Sequence, residues 1–115
     1  MPKYLFLQRS VPTKSPQAPS PTQMQEMFAA FNAWKEKFKD NIVDLGGKLK
    51  PAGTVVTTAG ATDGPFVETK EIVGGYMLVS AETFERALEV ARESPGVMMP
   101  GSSVEVREIQ EMPPS

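Results

Sequence analysis

Asp63-Gly64-Pro65-Phe66-Val67-Glu68-Thr69-Lys70-Glu71, running into Ile72-Val73-Gly74-Gly75-Tyr76, is the stretch whose reading decides the fold. The Asp63 carboxylate can accept hydrogen bonds from amides just downstream and so open an Asx-type turn. Gly64 tolerates backbone angles closed to other residues, and Pro65 fixes its own φ and removes a donor. A residue before proline is pushed out of the helical region, so the turn does not start a helix. Phe66 anchors its far side, and the turn aims one carboxylate in a set direction. The charged run that follows leads into Ile72 to Val79, an apolar strand broken by Gly74-Gly75. Paired glycines inside a strand predict a bulge or a close approach by another backbone or a ligand.

Upstream, Tyr4-Leu5-Phe6-Leu7-Gln8 predicts a central strand. The segment 10–21 carries Pro12, Pro16, Pro19 and Pro21 with serines and threonine. It has no apolar pattern to pack and reads as an extended loop, either a plain surface excursion or a flap over a pocket. A long helix is expected from Thr22 to Leu45. Met24, Met27, Phe28, Phe31, Trp34, Phe38, Ile42 and Leu45 fall on one stripe, and Gly46-Gly47 reads as its terminator. Phe28, Phe31, Trp34 and Phe38 are expected to pack against a sheet. Lys48-Leu49 and Gly53 to Ala59 read as a strand interrupted at Pro51. Gly60-Ala61-Thr62 leads into the DGPF turn, and Phe66 to Thr69 returns as a second hairpin arm.

Downstream of the glycine pair, Ser80 is the expected N-cap of a second helix with Phe84, Ala87, Leu88 and Ala91 on its apolar stripe. Ser94-Pro95-Gly96 stops that helix. Val97-Met98-Met99-Pro100-Gly101 reads as an apolar loop whose methionines fill a core gap or line a pocket. Val104 to Ile109 alternates as a final strand. The order is β-α-β-β-α-β with a hairpin embellishment, the split βαβ pattern. Two helices cover one face of such a sheet, and a second copy is expected on the other.

Other residues share this pattern with D-G-P-F, V-E-T-K-E and G-G-Y. They are Lys3-Tyr4-Leu5-Phe6-Leu7, Trp34, Gly46-Gly47-Lys48-Leu49, Ala87-Leu88, Ala91, Ser94-Pro95 and Val104-Glu105-Val106-Arg107. Together they make the chain resemble the YCII-related family in its DGPF-domain branch, over nearly the whole length except Ser10 to Pro21. The resemblance implies a ferredoxin-like α+β fold, a four-stranded antiparallel sheet with two helices on one face, that dimerises into an α+β barrel. In the broader family an aspartate has been paired with a histidine as a catalytic pair. Asp63 matches the aspartate, and the chain has no histidine. Glu108 stands where the family often has proline.

Composition sets the remaining bounds. A chain of 115 residues is one domain, 1–115, able to bury roughly 65 % of its unfolded surface. Hydrophobic content of 40 % and charge of 23 % suit a globular protein, and a net charge of −2 argues against nucleic acid or an anionic membrane as partner. The absence of cysteine and histidine removes disulfides, thiolate sites, the commonest metal ligand and the usual general base. No metal or cofactor is expected. Met1-Pro2-Lys3 leads straight into a strand, so a cytoplasmic location is expected.

Acid-base chemistry is thus left to Asp63, Glu68, Glu71, Tyr4, Tyr76, Lys70 or Arg107. Asp63, beside Phe66, is the first candidate to move a proton, because apolar surroundings raise a carboxyl pKa. Phe66 and Tyr76 would contact a ligand, with Lys70 or Arg107 holding an anionic group. Three readings follow. One is a cofactor-free isomerase, lyase or oxygenase acting on a small organic molecule, by analogy of fold. The others are a non-catalytic small-molecule binding module and a structural or regulatory dimer.

Overall fold

The computed structural model describes residues 1–10, 20–50, 52–63, 72–98 and 101–111. Its elements run β1 (Lys3–Ser10), α1 (Pro21–Lys37), β2 (Ile42–Lys48), β3 (Thr54–Thr57), β4 (Gly60–Asp63), β5 (Ile72–Ser80), α2 (Phe84–Arg92), a 3-10 turn (Pro95–Val97) and β6 (Ser102–Glu108). The principal sheet has the order β2-β5-β1-β6, and every neighbouring pair is antiparallel. With two helices inserted between its strands, this is the expected ferredoxin-like α+β arrangement. The Cα framework measures 51 × 42 × 18 Å, thin along one axis as a single sheet backed by a single helical layer should be.

Strand alternation sorts the two faces of the sheet. Tyr4 and Phe6 on β1 point toward the helices, as do their register partners Val79 and Met77 on β5 and Val106 on β6. These pack with Trp34, Phe38, Ala81, Ala87, Val90 and Ala91 into one core, which Phe31, Ile42 and Val104 extend. Burying a side chain such as Phe38 contributes roughly 1.5–3 kcal/mol. Tilted aromatic contacts run from Phe31 to Trp34 on α1 and on to Phe38 at its end, and the Arg86 guanidinium lies over the Phe38 ring at 5.2 Å.

α1 starts where capping dictates. The Ser20 hydroxyl accepts from the Gln23 amide, the Gln23 side chain accepts from the Ser20 amide, and Pro21 sits in the first turn. The helix ends at Lys37, not Leu45. Phe38 caps it, and the Asn41 and Ile42 amides fold back onto the Phe38 carbonyl. Ile42-Val43 continues the helical spacing, but β-branched residues pay less in a strand, where Ile42 pairs with Val79. Gly46-Gly47 is therefore a β2 bulge rather than a helix terminator. The apolar stripe is also shorter than expected. Residues 21–30 are all exposed, Phe28 at 62 %, and the buried part of α1 lies in its last turns.

The remaining boundaries are corrected in similar ways. Ser10 closes β1 and Pro21 opens α1, so both ends of the expected loop are regular structure; 11–19 lie outside the described residues. Gly60-Ala61-Thr62 forms, with Asp63, the second arm of the β3–β4 hairpin, which turns at Thr58-Ala59 and forms its own two-stranded sheet. Phe66 to Thr69, the expected return arm, lies outside the described residues. The N-cap of α2 is Thr83, whose hydroxyl accepts from the Arg86 amide, and Ser80 instead ends β5. Phe84 is exposed, whereas Val90 is fully buried. Met98 is 66 % exposed and fills no core gap.

The glycine pair of β5 behaves as read. The register with β1 slips between Gln8 and Arg9, which pair with Gly75 and Val73 and leave Gly74 as the extra residue. A Cβ on Gly75 would stand 3.1 Å from the Gly47 carbonyl oxygen of β2, a close backbone approach.

Candidate functional site

The face of the sheet turned away from the helices carries the described candidates. Its rows follow from strand register. Asp44, Leu78, Leu5 and Arg107 lie side by side across β2, β5, β1 and β6; Gly47, Tyr76, Leu7 and Glu105 form the next row; Val73, Arg9 and Ser103 form a third. Leu5, Leu7 and Leu78 are half-buried although neither of the described helices covers them, and Tyr76 is 46 % exposed. The result is an apolar strip bordered on the β6 side by charge.

That border is a carboxylate between two guanidinium groups. Glu105 Oε1 accepts from Arg9 Nη1 at 2.5 Å, and Glu105 Oε2 lies 3.8 Å from Arg107 Nε. The Arg9–Glu105 pair is partly shielded, whereas the Arg107 side chain is 71 % exposed. Arg107 and Tyr76 share the face but sit two strands and about two residues apart. At the usual spacings this separates their Cα atoms by roughly 12 Å. They flank one surface without touching.

Tyr76 is positioned by an unusual contact. Gly46 has φ +65°, and a Cβ there would stand 1.9 Å from the Tyr76 carbonyl oxygen. The Gly46 amide donates to Asp44 Oδ1 at 2.7 Å, which holds the bulge closed. Only glycine lets the β2 backbone come this near to β5.

The other candidates divide. Asp63 ends β4, its backbone paired with Thr54, and its side chain lies outside what the structure describes. Phe66 and Lys70, like Glu68 and Glu71, also lie outside the described residues. Tyr4 is on the wrong face for chemistry with Tyr76 or Arg107. It is buried among the helices, its ring 5.9 Å from that of Phe84. Burial, and secondly the Glu108 carboxylate, push its phenol pKa up, so it is a poorer proton donor than a free tyrosine. Arg9 and Glu105 escaped the sequence reading as site residues. The available signal was the alternation Leu5, Leu7, Arg9 along β1, which sets the arginine on the open face.

Concavities occur elsewhere. A shallow groove of about 500 Å³ between α1 and the β2 edge is lined by Lys35, Lys39, Ile42, Val43, Asp44 and Leu45. Another of about 440 Å³ lies at Pro2 and Glu108 to Glu111. Neither contains Tyr76 or Arg107. Among the described residues no group of three or more acidic, histidine or cysteine side chains is placed to hold a metal ion, and no helix is long and apolar enough to cross a membrane.

Comparison with known proteins bears on the family. An uncharacterised protein of Rhizobium meliloti (strain 1021) is similar at 38 % identity, over 53 % of this chain and 59 % of that relative. The chain thus spans less than two thirds of the relative's length. The model of the YCII-related domain matches residues 3–113, from the start of β1 to beyond β6. With that match running through the sheet, both helices and the D-G-P-F residues, the chain belongs to the YCII-related domain family.

Proposed function

We propose that this chain works as a homodimer closed over its open sheet face, and that a small organic molecule binds between the two sheets. The observation that carries this reading is the strip of Leu5, Leu7, Leu78 and Tyr76, which neither of the described helices covers. An apolar sheet face left in water is a sticky patch, and two-fold symmetry covers it with an identical one. A dimer of this type should bury upwards of roughly 2,000 Å² in total. Between the sheets, Tyr76 would donate a hydrogen bond from its phenol and Arg107 would hold an anionic group. Asp63, with Phe66 and Lys70 close to it in sequence, would move a proton if the bound molecule is turned over, as in a cofactor-free isomerase, lyase or oxygenase.

A scaffold or regulatory dimer without ligand is the competing reading. It is favoured by one observation: neither the groove beside β2 nor the one at Pro2 and Glu108 to Glu111 contains Tyr76 or Arg107. Light scattering at micromolar concentration decides the dimer. A mass of two chains that falls to one in Leu7→Glu, with the helical signal retained, supports it. A folded wild-type monomer refutes it.

A further inference from the structure

Arg107 is a cation standing on an apolar surface, and among the described residues its counter-charge is one it shares with Arg9. Its row neighbours on β1 and β5 are Leu5 and Leu78. The nearest carboxylate, Glu105, presents Oε2 at 3.8 Å, beyond hydrogen-bond distance, while Oε1 is taken by Arg9. The Arg107 donors make no hydrogen bond to the described residues, and neither does the Tyr76 hydroxyl. Closing a second sheet over this face would strip water from the guanidinium, which costs several kcal/mol unless an anion meets it.

A second copy does not readily supply that anion. Its open face carries the same two described carboxylates, and both are engaged: Glu105 by Arg9, and Asp44 by the Gly46 amide. An anion from outside the protein fits better. The planar fork of an arginine matches a carboxylate with two parallel hydrogen bonds. The leucines beside it call for an apolar body on that carboxylate, and the Tyr76 phenol offers one polar contact at the far end of the strip.

We infer that Arg107 binds the carboxylate of a small organic acid whose apolar body lies on Leu5, Leu7 and Leu78 and reaches toward Tyr76. This rests on the homodimer reading, which supplies the second wall of the site. The test is thermal unfolding of the full chain with millimolar benzoate or hexanoate, against benzamide, hexanamide and inorganic phosphate, with mass measured by light scattering in the same samples. The expected result is a rise of several degrees in Tm with at least one carboxylate and none with its amide or with phosphate. In Arg107→Gln the mass of two chains should persist and the rise should vanish.

Four outcomes overturn the inference. They are no shift with either acid, an equal shift with the amides or with phosphate, a shift that survives Arg107→Gln, or dissociation of Arg107→Gln into monomers, which would make Arg107 an interface ion-pair residue. A wild-type monomer would instead be a failure of the homodimer reading itself, and the mass measurement separates the two.

Discussion

The indole Nε1 of Trp34 donates to the backbone carbonyl of Val90 at 2.9 Å, inside the core. Val90 lies in the last turn of α2, where carbonyls have no partner within the helix. Its neighbours are satisfied locally: Glu89 accepts from the Glu93 amide, and Ala91 accepts from the Ser94 amide and hydroxyl. Val90 is satisfied from α1. One side chain therefore both fills the core and completes the end of the other helix.

Two substitutions separate these roles. Trp34→Ala should cost roughly 3–5 kcal/mol through the cavity and the lost contacts. Trp34→Phe keeps most of the apolar volume but leaves the Val90 carbonyl buried without its donor, and should cost about 1–3 kcal/mol. Urea denaturation measures both. If Trp34→Phe were as stable as wild type, the bond would contribute nothing beyond packing.

The contact between Gly46 and the Tyr76 carbonyl makes a second prediction. Gly46→Ala must hold a left-handed backbone and also push β2 away from β5, so a loss of about 1–3 kcal/mol is expected. Gly47→Ala is the control, because a Cβ there meets nothing within 4 Å. Its effect should stay within about 0.5 kcal/mol. Equal denaturation midpoints for the two variants would contradict the bulge.

These glycines also show where sequence reading runs out. A glycine pair after a helical stripe looks the same whether it ends a helix or bulges a strand, since both need a residue free of Cβ. Ile42 and Leu45 kept the helical spacing, and their true strand is declared only by pairing with β5, which begins thirty residues later. β1, β5 and β6 were legible because runs of apolar residues or strict alternation carry the signal locally. The open face was legible too, since two helices cover only one side of a four-stranded sheet, but it takes the register to show that Tyr76 and Arg107 share it. The Arg9–Glu105 ion pair was not, because its partners are 96 residues apart and meet only through the sheet order. Ser80 was the expected cap of α2, and Thr83 is the observed one. What separates them is Ala81, fully buried with its amide donating to the Pro2 carbonyl, which ties the residue after Ser80 to the start of the chain.

Tyr4 predicts a dependence on alkaline pH. Its pKa is raised in the folded state, above the unfolded value near 10. Below about pH 10 the phenol is protonated in both states and folding is unaffected. Above it the unfolded chain loses its proton first, so stability falls as pH rises toward the folded pKa. Tyr4→Phe should flatten this fall relative to wild type. Urea midpoints between about pH 8 and about pH 11 would show it, and parallel curves for the two proteins would rule it out.

Asp63 allows scaffold and chemistry to be told apart. It closes β4 at the entrance to the D-G-P-F segment, and an aspartate at that place favours an Asx-type turn. Asparagine keeps the side-chain oxygen that such a turn needs, so Asp63→Asn should alter stability by less than about 1 kcal/mol. Alanine removes the acceptor, and Asp63→Ala should destabilise by about 1–3 kcal/mol if the amides it served are buried. Proton transfer responds to the opposite contrast, because asparagine cannot ionise. A carboxylic acid that binds wild type should be tested on both variants by calorimetry and by following its conversion. If Asp63 moves a proton, Asp63→Asn should melt like wild type and still bind the acid through Arg107, yet fail to turn it over. If Asp63 only holds the turn, turnover should survive Asp63→Asn and decline with stability in Asp63→Ala. Conversion unchanged in Asp63→Asn would therefore remove the aspartate from the chemistry and leave it as the residue that sets the turn.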